Sequence, residues 1–257
     1  MKIAILGAGA FGTALGGVLA DNAYDIDYYD SRIEKERLSD VVADATYIVV
    51  CVPSVAIPYV LPHLPKDKPL IVATKGILSC TPFHEFKDWM VLSGPGFADD
   101  IKAGKHTVLT VTDKRISEFF AAEYMEFELT SDRNGVLMCG ALKNVYAILA
   151  GLKGLERDSK EWKEFIKTAS EEMKTILALN GAEEKTVDLA CGIGDLKLTC
   201  GYPSRNYEYG DLLRDNPGLE PEKTVEGLSA MRRISRGEIE VPKDLKLLTE
   251  VKDAIKH

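Results

Sequence analysis

A glycine motif near the start of the chain has the residue types and spacing of a phosphate-binding turn. Gly7, Gly9 and Gly12 form a G-x-G-x-x-G that follows an apolar stretch and opens a stretch with helical spacing. Gly7 permits a tight turn, Gly9 lets the backbone approach a pyrophosphate, and Gly12 allows helix and strand to pack closely. The helix N-terminus would attract the phosphate charge. A glycine-rich turn can occur in any α/β protein, but this strand–turn–helix context favours dinucleotide binding.

Two charged residues after the second apolar stretch bear on which dinucleotide would bind. Asp30 closes the stretch 25–30, at the distance where an acidic residue usually accepts hydrogen bonds from the adenosine ribose hydroxyls. The alternative is a surface carboxylate at a strand end. Arg32 could instead offer paired donors to the 2′-phosphate of NADPH. We interpret Asp30 as the residue that contacts the ribose, which predicts a preference for NADH over NADPH.

Further polar residues follow later apolar stretches. Lys75 comes after the stretch 70–74, and the sequence SGPGFA (93–98) continues from the stretch 91–93. Parallel sheets bind ligands at the carboxyl ends of their strands, so Lys75 and the glycines of SGPGFA are candidate site residues. A lone lysine in such a position is more often a solvated loop residue, and paired glycines can equally serve a turn.

The second half of the chain contains polar residues that are harder to place. Lys143 and Asn144 lie in a helical pattern whose apolar stripe faces elsewhere, so the pattern alone predicts solvated side chains. The sequences GIGDLKLTC (192–200) and SRN (204–206) are polar and glycine-rich, which neither a core nor a plain linker explains. Arg205 would suit a phosphate, because a guanidinium offers paired donors in a plane.

Apolar periodicity predicts the elements that carry these residues. Strands are predicted over 2–6, 25–30, 47–52, 70–74, 91–93 and 107–112, separated by short helical stretches. This alternation indicates β-α-β crossovers and a mostly parallel sheet. Helices are predicted over 134–152, 162–179, 224–236 and 245–255. The sequence therefore predicts a Rossmann-like α/β dinucleotide-binding domain over 1–131, followed by an all-α domain over 132–257.

Composition narrows the classes of function. The 257 residues include 32 Lys and Arg against 40 Asp and Glu, and the net charge of −8 argues against a nucleic-acid partner. We find no apolar run of the roughly 18 residues that a membrane span needs. The five cysteines include no C-x-x-C, which favours a reducing cytoplasm over a disulfide framework. The four histidines are scattered, and no metal site is expected.

Short motifs in order along most of the chain resemble those of the NAD(P)-dependent sn-glycerol-3-phosphate dehydrogenase family. They are GAGAFGTALG (7–16), VPS (52–54), ATKG (73–76), SGPGFADDI (93–101), GALKN (140–144), GIGDLKLTC (192–200), SRN (204–206) and VEG (225–227). GALKN, GDLKLTC and SRN, in that order and spacing, make the resemblance specific, since chance or another dehydrogenase family explains them poorly.

The resemblance implies reduction of dihydroxyacetone phosphate to sn-glycerol 3-phosphate with NADH or NADPH, in a homodimer. It implies that Lys143 donates or accepts the proton. The implied catalytic residues are Lys143, Lys75 and Asp195. The implied substrate-binding residues are Lys75, Gly94, Asn144, Thr199, Ser204, Arg205 and Asn206. The implied cofactor-binding residues are Gly7, Gly9, Ala10, Phe11, Gly12, Asp30, Lys75, Ala98, Arg205 and Glu226.

The chain departs from the family pattern in places. Gly96 stands where the family usually has Ser or Thr, which removes a possible hydroxyl contact to the substrate. The chain is shorter than is usual, with a compressed stretch between Asp30 and Tyr47 and a different segment at 153–163. Two alternatives stay open. One is a β-hydroxyacid or ketopantoate type of dehydrogenase with the same architecture, and the other is a non-catalytic NAD(P)-binding sensor.

Overall fold

The computed structural model describes residues 1–32, 37–201 and 204–255. The chain folds into two compact units. The first, the sheet unit, contains Met1–Lys75 and Cys80–Arg133. The second, the helical unit, contains Gly76–Ser79 and the chain from Asn134 onward. The sequence analysis placed the junction between residues 131 and 132 and did not anticipate that the short segment Gly76–Ser79 joins the helical unit.

Seven strands form one sheet in the order β2-β1-β3-β4-β5-β6-β7. The neighbours β1 to β5 pair in parallel, whereas β6 pairs antiparallel with β5 and parallel with β7. This confirms the predicted mostly parallel sheet. The strands are β1 (Lys2–Leu6), β2 (Asp25–Tyr29), β3 (Tyr47–Val50), β4 (Leu70–Val72), β5 (Trp89–Ser93), β6 (Thr107–Val111) and β7 (Met125–Leu129).

The central strands read as continuous apolar runs because both of their faces are buried. Every residue of β4 and β5 is buried, and so are Ile48–Val50 of β3. The edge strand β7, with the sequence MEFEL, is mostly half-buried or exposed. The sequence analysis predicted no strand there, because charged residues interrupt the apolar residues of β7.

The described residues of the sheet unit also form five α-helices. They are α1 (Ala10–Asp21), α2 (Leu38–Ala43), α3 (Ile57–Val60), α4 (Ala98–Lys102) and α5 (Lys114–Phe119). Helix α1 begins at Ala10, inside the glycine motif and not after it. The early start is possible because the glycines have no side chains that would obstruct the turn from strand to helix.

The helical unit is built around α6, which is buried along nearly its whole length. The helices of this part of the chain are α6 (Arg133–Leu152), α7 (Lys160–Leu179), α8 (Asp195–Thr199), α9 (Arg205–Asp215), α10 (Glu226–Ser235) and α11 (Lys246–Ile255). Ile148 of α6 packs with Tyr209 and Leu213 of α9 and with Leu228 of α10. The sequence analysis predicted neither α8 nor α9.

The sequence analysis found no apolar run long enough for a membrane span, but helix α6 is long and apolar enough. It has 20 residues and a mean hydropathy of 1.6 over its most apolar window, so length and composition alone would allow it to cross a membrane. Of that window, 94% is buried inside the protein. The core helix of a folded protein passes the same test, and burial identifies α6 as such a helix.

A buried carboxylate holds the last helix in place. The Glu172 side chain on α7 accepts hydrogen bonds from the backbone N–H groups of Leu247 (2.7 Å) and Leu248 (3.1 Å) in the first turn of α11. It also accepts one from the Tyr146 hydroxyl at 3.0 Å. Burial raises the pKa of Tyr146 well above its usual range, and the neighbouring Glu172 adds to this. A negative charge at a helix N-terminus is favourable, so Glu172 stabilises α11.

Candidate active site

In the sheet unit, the turn between β1 and α1 has the geometry that a pyrophosphate needs. Gly7 has φ +105°, and a Cβ there would lie 2.8 Å from the carbonyl oxygen of Cys51. A Cβ on Gly12 would lie 2.0 Å from the carbonyl oxygen of Gly7. A Cβ on Gly9 would meet nothing within 4 Å, and no side chain caps the helix that begins at Ala10. The turn therefore combines open space with the N-terminal amide groups of α1, which attract anions.

Three predicted site residues lie together in the sheet unit. The Lys75 ammonium donates a hydrogen bond to the carbonyl oxygen of Gly94 at 3.0 Å. The same nitrogen lies 5.4 Å from the centre of the Phe11 ring, within cation–π range. The lysine is half-buried, so it is not the freely solvated loop residue of the alternative interpretation. Ala98, also predicted to contact the cofactor, is the first residue of α4.

The SGPGFA segment shows why glycines follow β5. Gly94 has φ +149°, and a Cβ there would lie 3.1 Å from Leu109. A Cβ on Gly96 would lie 3.3 Å from Ile101 and 3.4 Å from Thr107. These side-chain atoms would have to shift by only a few tenths of an ångström to admit a Cβ at Gly96, so the structure does not explain this departure from the family pattern.

The Asp30 carboxylate, predicted to contact a ribose, is bonded to Arg32 in this structure. It is buried, and it accepts hydrogen bonds from the Arg32 Nε (2.8 Å), the Arg32 Nη2 (2.6 Å) and the backbone N–H groups of Arg32 and Ala8 (3.0 Å each). The Arg32 guanidinium beside it lowers the pKa of Asp30 to about 2. The Arg32 side chain is 74% exposed. The two residues that the sequence analysis treated as rivals thus form one ion pair.

In the helical unit, Lys143 and Asp195 form a buried ion pair. The Lys143 Nζ lies 2.8 Å from Asp195 Oδ1, and the two side chains are 4% and 1% exposed. The same nitrogen donates to the Thr199 hydroxyl at 2.9 Å. The prediction of solvated side chains at Lys143 and Asn144 is wrong, because neighbouring elements cover α6 beyond its apolar stripe. A lysine ammonium and a carboxylate buried together are well placed for proton chemistry.

An irregular helical segment precedes Asp195. Residues Ala190–Gly194 form a single π-helical turn that leads directly into α8. A Cβ on Gly192 would lie 2.2 Å from the carbonyl oxygen of Val187, so only glycine fits there. π-Helical turns are rare in proteins, and those that occur often lie at functional sites. The glycines of GIGDLKLTC therefore let the chain pack tightly just before it presents Asp195 to Lys143.

Two asparagines predicted to contact the substrate are bonded to each other. The Asn206 Nδ2 donates to Asn144 Oδ1 at 2.9 Å, and the Asn206 Oδ1 accepts from the backbone N–H of Gly227 at 3.0 Å. The Asn144 Nδ2 donates to the carbonyl oxygen of Gly140 at 3.0 Å. Both asparagines are buried. The pairing joins α6, α9 and the first turn of α10.

The SRN motif alternates between buried and exposed side chains. Ser204 caps α9 by accepting from the backbone N–H of Tyr207 at 3.1 Å, and its hydroxyl donates to the carbonyl oxygen of Thr199 at 2.6 Å. Arg205 is exposed, and Asn206 is buried again. Glu226, predicted to contact the cofactor, is the half-buried first residue of α10. Ser204 and Asn206 thus hold the start of α9 and leave Arg205 accessible.

Sequence reasoning missed the glycines that bring the helices of the second unit together. A Cβ on Gly210 would lie 1.9 Å from the carbonyl oxygen of Ile148, and one on Gly151 would lie 1.9 Å from that of Tyr207. A Cβ on Gly227 would lie 2.2 Å from the carbonyl oxygen of Asn144. Backbones therefore touch where α9 and α10 pack on α6. Isolated glycines inside helical patterns were the available signal, since such glycines usually have a packing reason.

The predicted site residues therefore form two groups, one in each unit. The sheet unit holds Gly7, Gly9, Ala10, Phe11, Gly12, Asp30, Lys75, Gly94 and Ala98, and the helical unit holds Lys143, Asn144, Asp195, Thr199, Ser204, Arg205, Asn206 and Glu226. Within the described residues, no group of three or more His, Cys, Asp and Glu side chains could hold a metal ion.

Comparison with known proteins assigns the family. A model described as the NAD-dependent glycerol-3-phosphate dehydrogenase C-terminus matches residues 132–257. The chain is 32% identical to glycerol-3-phosphate dehydrogenase (NAD(P)+) of Leptospira biflexa, over 92% of this chain and 85% of that protein. It is also 32% identical to the protein of the same name from Gloeobacter violaceus, over 94% and 89% of the two chains.

A solved structure agrees with the sequence relatives. The crystal structure of glycerol-3-phosphate dehydrogenase from Coxiella burnetii superposes with a TM-score of 0.83 at 25% identity, covering 99% of this chain and 94% of that one. The predicted fold class, a Rossmann-like sheet unit followed by a helical region, is confirmed. The chain belongs to the NAD(P)-dependent glycerol-3-phosphate dehydrogenase family.

Proposed function

We propose that this protein interconverts dihydroxyacetone phosphate and sn-glycerol 3-phosphate with NADH or NADPH. The observation that carries the proposal is the buried ammonium of Lys143, held by Asp195 at 2.8 Å and by Thr199 at 2.9 Å. Even when it is paired, a buried charge adds little stability compared with apolar residues of the same size, so its presence favours a chemical role. The names of the relatives supply the substrate class.

The turn between β1 and α1 fits a dinucleotide. Gly9 leaves open space, and the uncapped N-terminus of α1 offers backbone N–H groups for the pyrophosphate. Gly7, Ala10, Phe11 and Gly12 would hold the cofactor at this turn, and Ala98 in the same unit is a further candidate contact. When bound, NADH or NADPH supplies the hydride for the carbonyl carbon of the substrate.

Lys143 moves the proton. Its ammonium donates to the carbonyl oxygen of the substrate as negative charge develops there, and it recovers a proton afterwards. Asp195 and Thr199 fix the position of the nitrogen, so little reorganisation is needed during the reaction. Lys75, held by the carbonyl oxygen of Gly94, contributes a second cation on the substrate side.

The substrate phosphate is held mainly by Arg205. Its guanidinium is exposed at the start of α9 and can donate two parallel hydrogen bonds to phosphate oxygens. Helix α9 is 11 residues long, and the partial positive charge at its N-terminus would also attract the phosphate. Ser204 and Asn206 hold the backbone around Arg205 in place, and Asn144 and Thr199 would contact the substrate beside Lys143.

The Asp30–Arg32 ion pair bears on the choice of cofactor. With Arg32 bonded to it, the Asp30 carboxylate repels a 2′-phosphate only weakly, and the exposed guanidinium can attract one. We therefore replace the predicted NADH preference with use of both cofactors. Measured kcat/KM values for NADH and NADPH should lie within about tenfold, a difference of about 1.4 kcal/mol. Arg32→Ala should lower the value for NADPH selectively, and an unchanged ratio would contradict this assignment.

The proposal is tested by following NADH oxidation with dihydroxyacetone phosphate as substrate. Dihydroxyacetone and ketopantoate serve as parallel substrates. Turnover of the phosphorylated compound alone is expected, because binding of the remote phosphate helps to organise the reacting centre. Equal turnover of dihydroxyacetone would contradict the role of the phosphate. Turnover of ketopantoate alone would instead assign the chain to the carboxylate-reducing dehydrogenases.

We extend the proposal to a homodimer that acts in the cytoplasm. The five cysteines, all within the described residues, form no disulfide bonds, which supports a reducing compartment. The oligomeric state follows from the family resemblance and is checked by the mass in solution.

A further inference from the structure

The buried partners of Lys143 lie on a helix that is too short to fix its own position. Asp195 and Thr199, which accept hydrogen bonds from the Lys143 ammonium at 2.8 and 2.9 Å, are the first and last residues of α8. A single helical turn gains little stability from its own hydrogen bonds, so its neighbours must hold it in place. The last carbonyl groups of a helix also have no partner within the helix. Contacts at the end of α8 therefore decide where the Thr199 hydroxyl lies.

Trp162 makes such a contact from α7. Its indole Nε1–H donates a hydrogen bond at 3.1 Å to the carbonyl oxygen of Cys200, the residue that caps α8 at its C-terminus. Trp162 and Cys200 are both buried. The Ser204 hydroxyl donates to the preceding carbonyl oxygen, that of Thr199, at 2.6 Å. Two side chains thus satisfy two consecutive carbonyl groups at this end of α8, and a buried carbonyl group left without a partner is costly.

The backbone of Trp162 is itself fixed. Ser159 caps α7 by accepting a hydrogen bond from the backbone N–H of Trp162 at 3.1 Å. Trp162 belongs to the segment 153–163, in which the chain departs from the family pattern. The proposed function gives this segment no role. The bond to Cys200 connects it to α8.

The side chain of Cys200 lies close to the buried ion pair. The charges of Lys143 and Asp195 both act on its thiol, and burial raises the pKa of that thiol well above its usual value. The thiol therefore stays neutral and does not compete with Asp195 for the ammonium. A shift of Cys200 would alter the surroundings of the ion pair through both its backbone and its side chain.

We propose that Trp162 is a positioning residue for proton transfer. By holding the carbonyl oxygen of Cys200, its indole fixes the end of α8 and keeps the Thr199 hydroxyl 2.9 Å from the Lys143 ammonium. Groups held in place in advance need little movement during the reaction, which lowers its barrier. The inference rests on the proposed function, because it takes Lys143 as the proton donor.

The proposal is tested by removing the indole N–H while keeping an aromatic ring. Trp162→Phe should lower kcat about tenfold and leave the KM for dihydroxyacetone phosphate unchanged, because the lost bond acts on the proton donor and not on substrate binding. Trp89→Phe makes the same change at the other tryptophan of the chain, which is buried in β5, and should leave kcat unchanged. An unchanged kcat in Trp162→Phe, or a rise in KM alone, would overturn the proposal.

A double variant separates positioning from general damage to the fold. Thr199→Val removes the hydroxyl that Trp162 positions, so in that background Trp162→Phe should lower kcat by less than about twofold. Losses that add in the double variant would overturn the proposal. If Trp162→Phe does not fold, benzothienylalanine, which replaces the indole N–H by sulfur, is incorporated in the Trp89→Phe background so that only position 162 changes. The same tenfold loss of kcat, approximately, is then expected.

A measurement without substrate reads the position of α8. The Cys200 backbone N–H donates to the carbonyl oxygen of Leu196 at 2.9 Å, at the end of this helix. Its hydrogen exchange should speed up about tenfold in Trp162→Phe and keep the wild-type rate in Trp89→Phe. Wild-type exchange of Cys200 in Trp162→Phe would overturn the proposal. If the wild-type protein reduces no dihydroxyacetone phosphate, the proposed function fails, and the exchange measurement still decides whether Trp162 fixes the end of α8.

Discussion

Each unit of the molecule contains an ion pair at its predicted site, and the two pairs lie in opposite environments. In the sheet unit, the Asp30 side chain is buried, whereas the side chain of its partner Arg32 is 74% exposed. In the helical unit, Lys143 and Asp195 are 4% and 1% exposed. The first pair can open towards a ligand at the protein surface with little loss. The second can open only at a large cost, because each charge would be left buried without its partner.

The difference separates recognition from chemistry. An exposed arginine adjusts to its ligand and contributes mainly to the choice between similar cofactors. A buried ammonium held by two partners is preorganised for a single reaction and contributes little or nothing to stability compared with apolar residues of the same size. Retaining such a pair is therefore an argument for function in the helical unit.

The largest effect on stability should come from breaking the buried pair. Asp195→Asn leaves the Lys143 ammonium without its charge partner, so the free energy of unfolding should fall by about 3–5 kcal/mol. Urea denaturation with a spectroscopic probe measures this loss. The double variant Lys143→Met with Asp195→Leu should recover most of the stability and none of the activity. Wild-type stability of Asp195→Asn would contradict the burial of the pair.

A smaller effect is expected at Arg205. Arg205→Lys keeps the positive charge and loses the planar pair of donors, so the KM for dihydroxyacetone phosphate should rise about tenfold. Arg214→Lys, the same change at an exposed arginine of the same helix, serves as the control and should leave the KM unchanged. A KM unaffected by Arg205→Lys would remove Arg205 from phosphate binding.

The smallest effect is expected at the exposed pair, and it depends on pH. Arg32 lowers the pKa of Asp30 to about 2 from an ordinary value of 3.8, so the folded state favours the ionised carboxylate. Its contribution is complete above the unfolded value and is lost as the pH falls towards 2. At neutral pH, Asp30→Asn should cost about 1 kcal/mol, reduced by solvent screening of the exposed arginine.

The pH dependence is checked by urea denaturation of wild type and Asp30→Asn at neutral pH and near pH 3. The difference between the two proteins should shrink at the lower pH. A difference that grows on acidification would mean that Asp30 is stabilised in its protonated form.

The sheet unit was largely predictable from sequence. Its central strands are short apolar runs that end at glycine or polar residues, and these local patterns placed β1, β3 and β4 within one or two residues. The edge strand β7 escaped prediction, since it alternates charged and apolar residues and is not buried on both faces. Strand direction also depends on partners that lie far along the chain.

The helical site was only partly predictable. Motif resemblance singled out Lys143, Asn144 and Asp195, but helical periodicity assigned the first two to solvent. Burial of these residues depends on other elements covering α6, which a single helical pattern does not reveal. The bond between Asn144 and Asn206 joins residues 62 positions apart and had no local signal.

The central claim is that Lys143 in the helical unit supplies the proton while the glycine turn of the sheet unit binds the cofactor. It is tested most directly by Lys143→Ala, with kcat measured at saturating dihydroxyacetone phosphate and NADH, and with the dissociation constant of NADH measured on the same preparation. We predict that kcat falls by about 10²–10⁴, the usual loss for a positioned proton donor, with NADH binding unchanged. A variant that retains near wild-type kcat would contradict the account, because another group would then have to supply the proton.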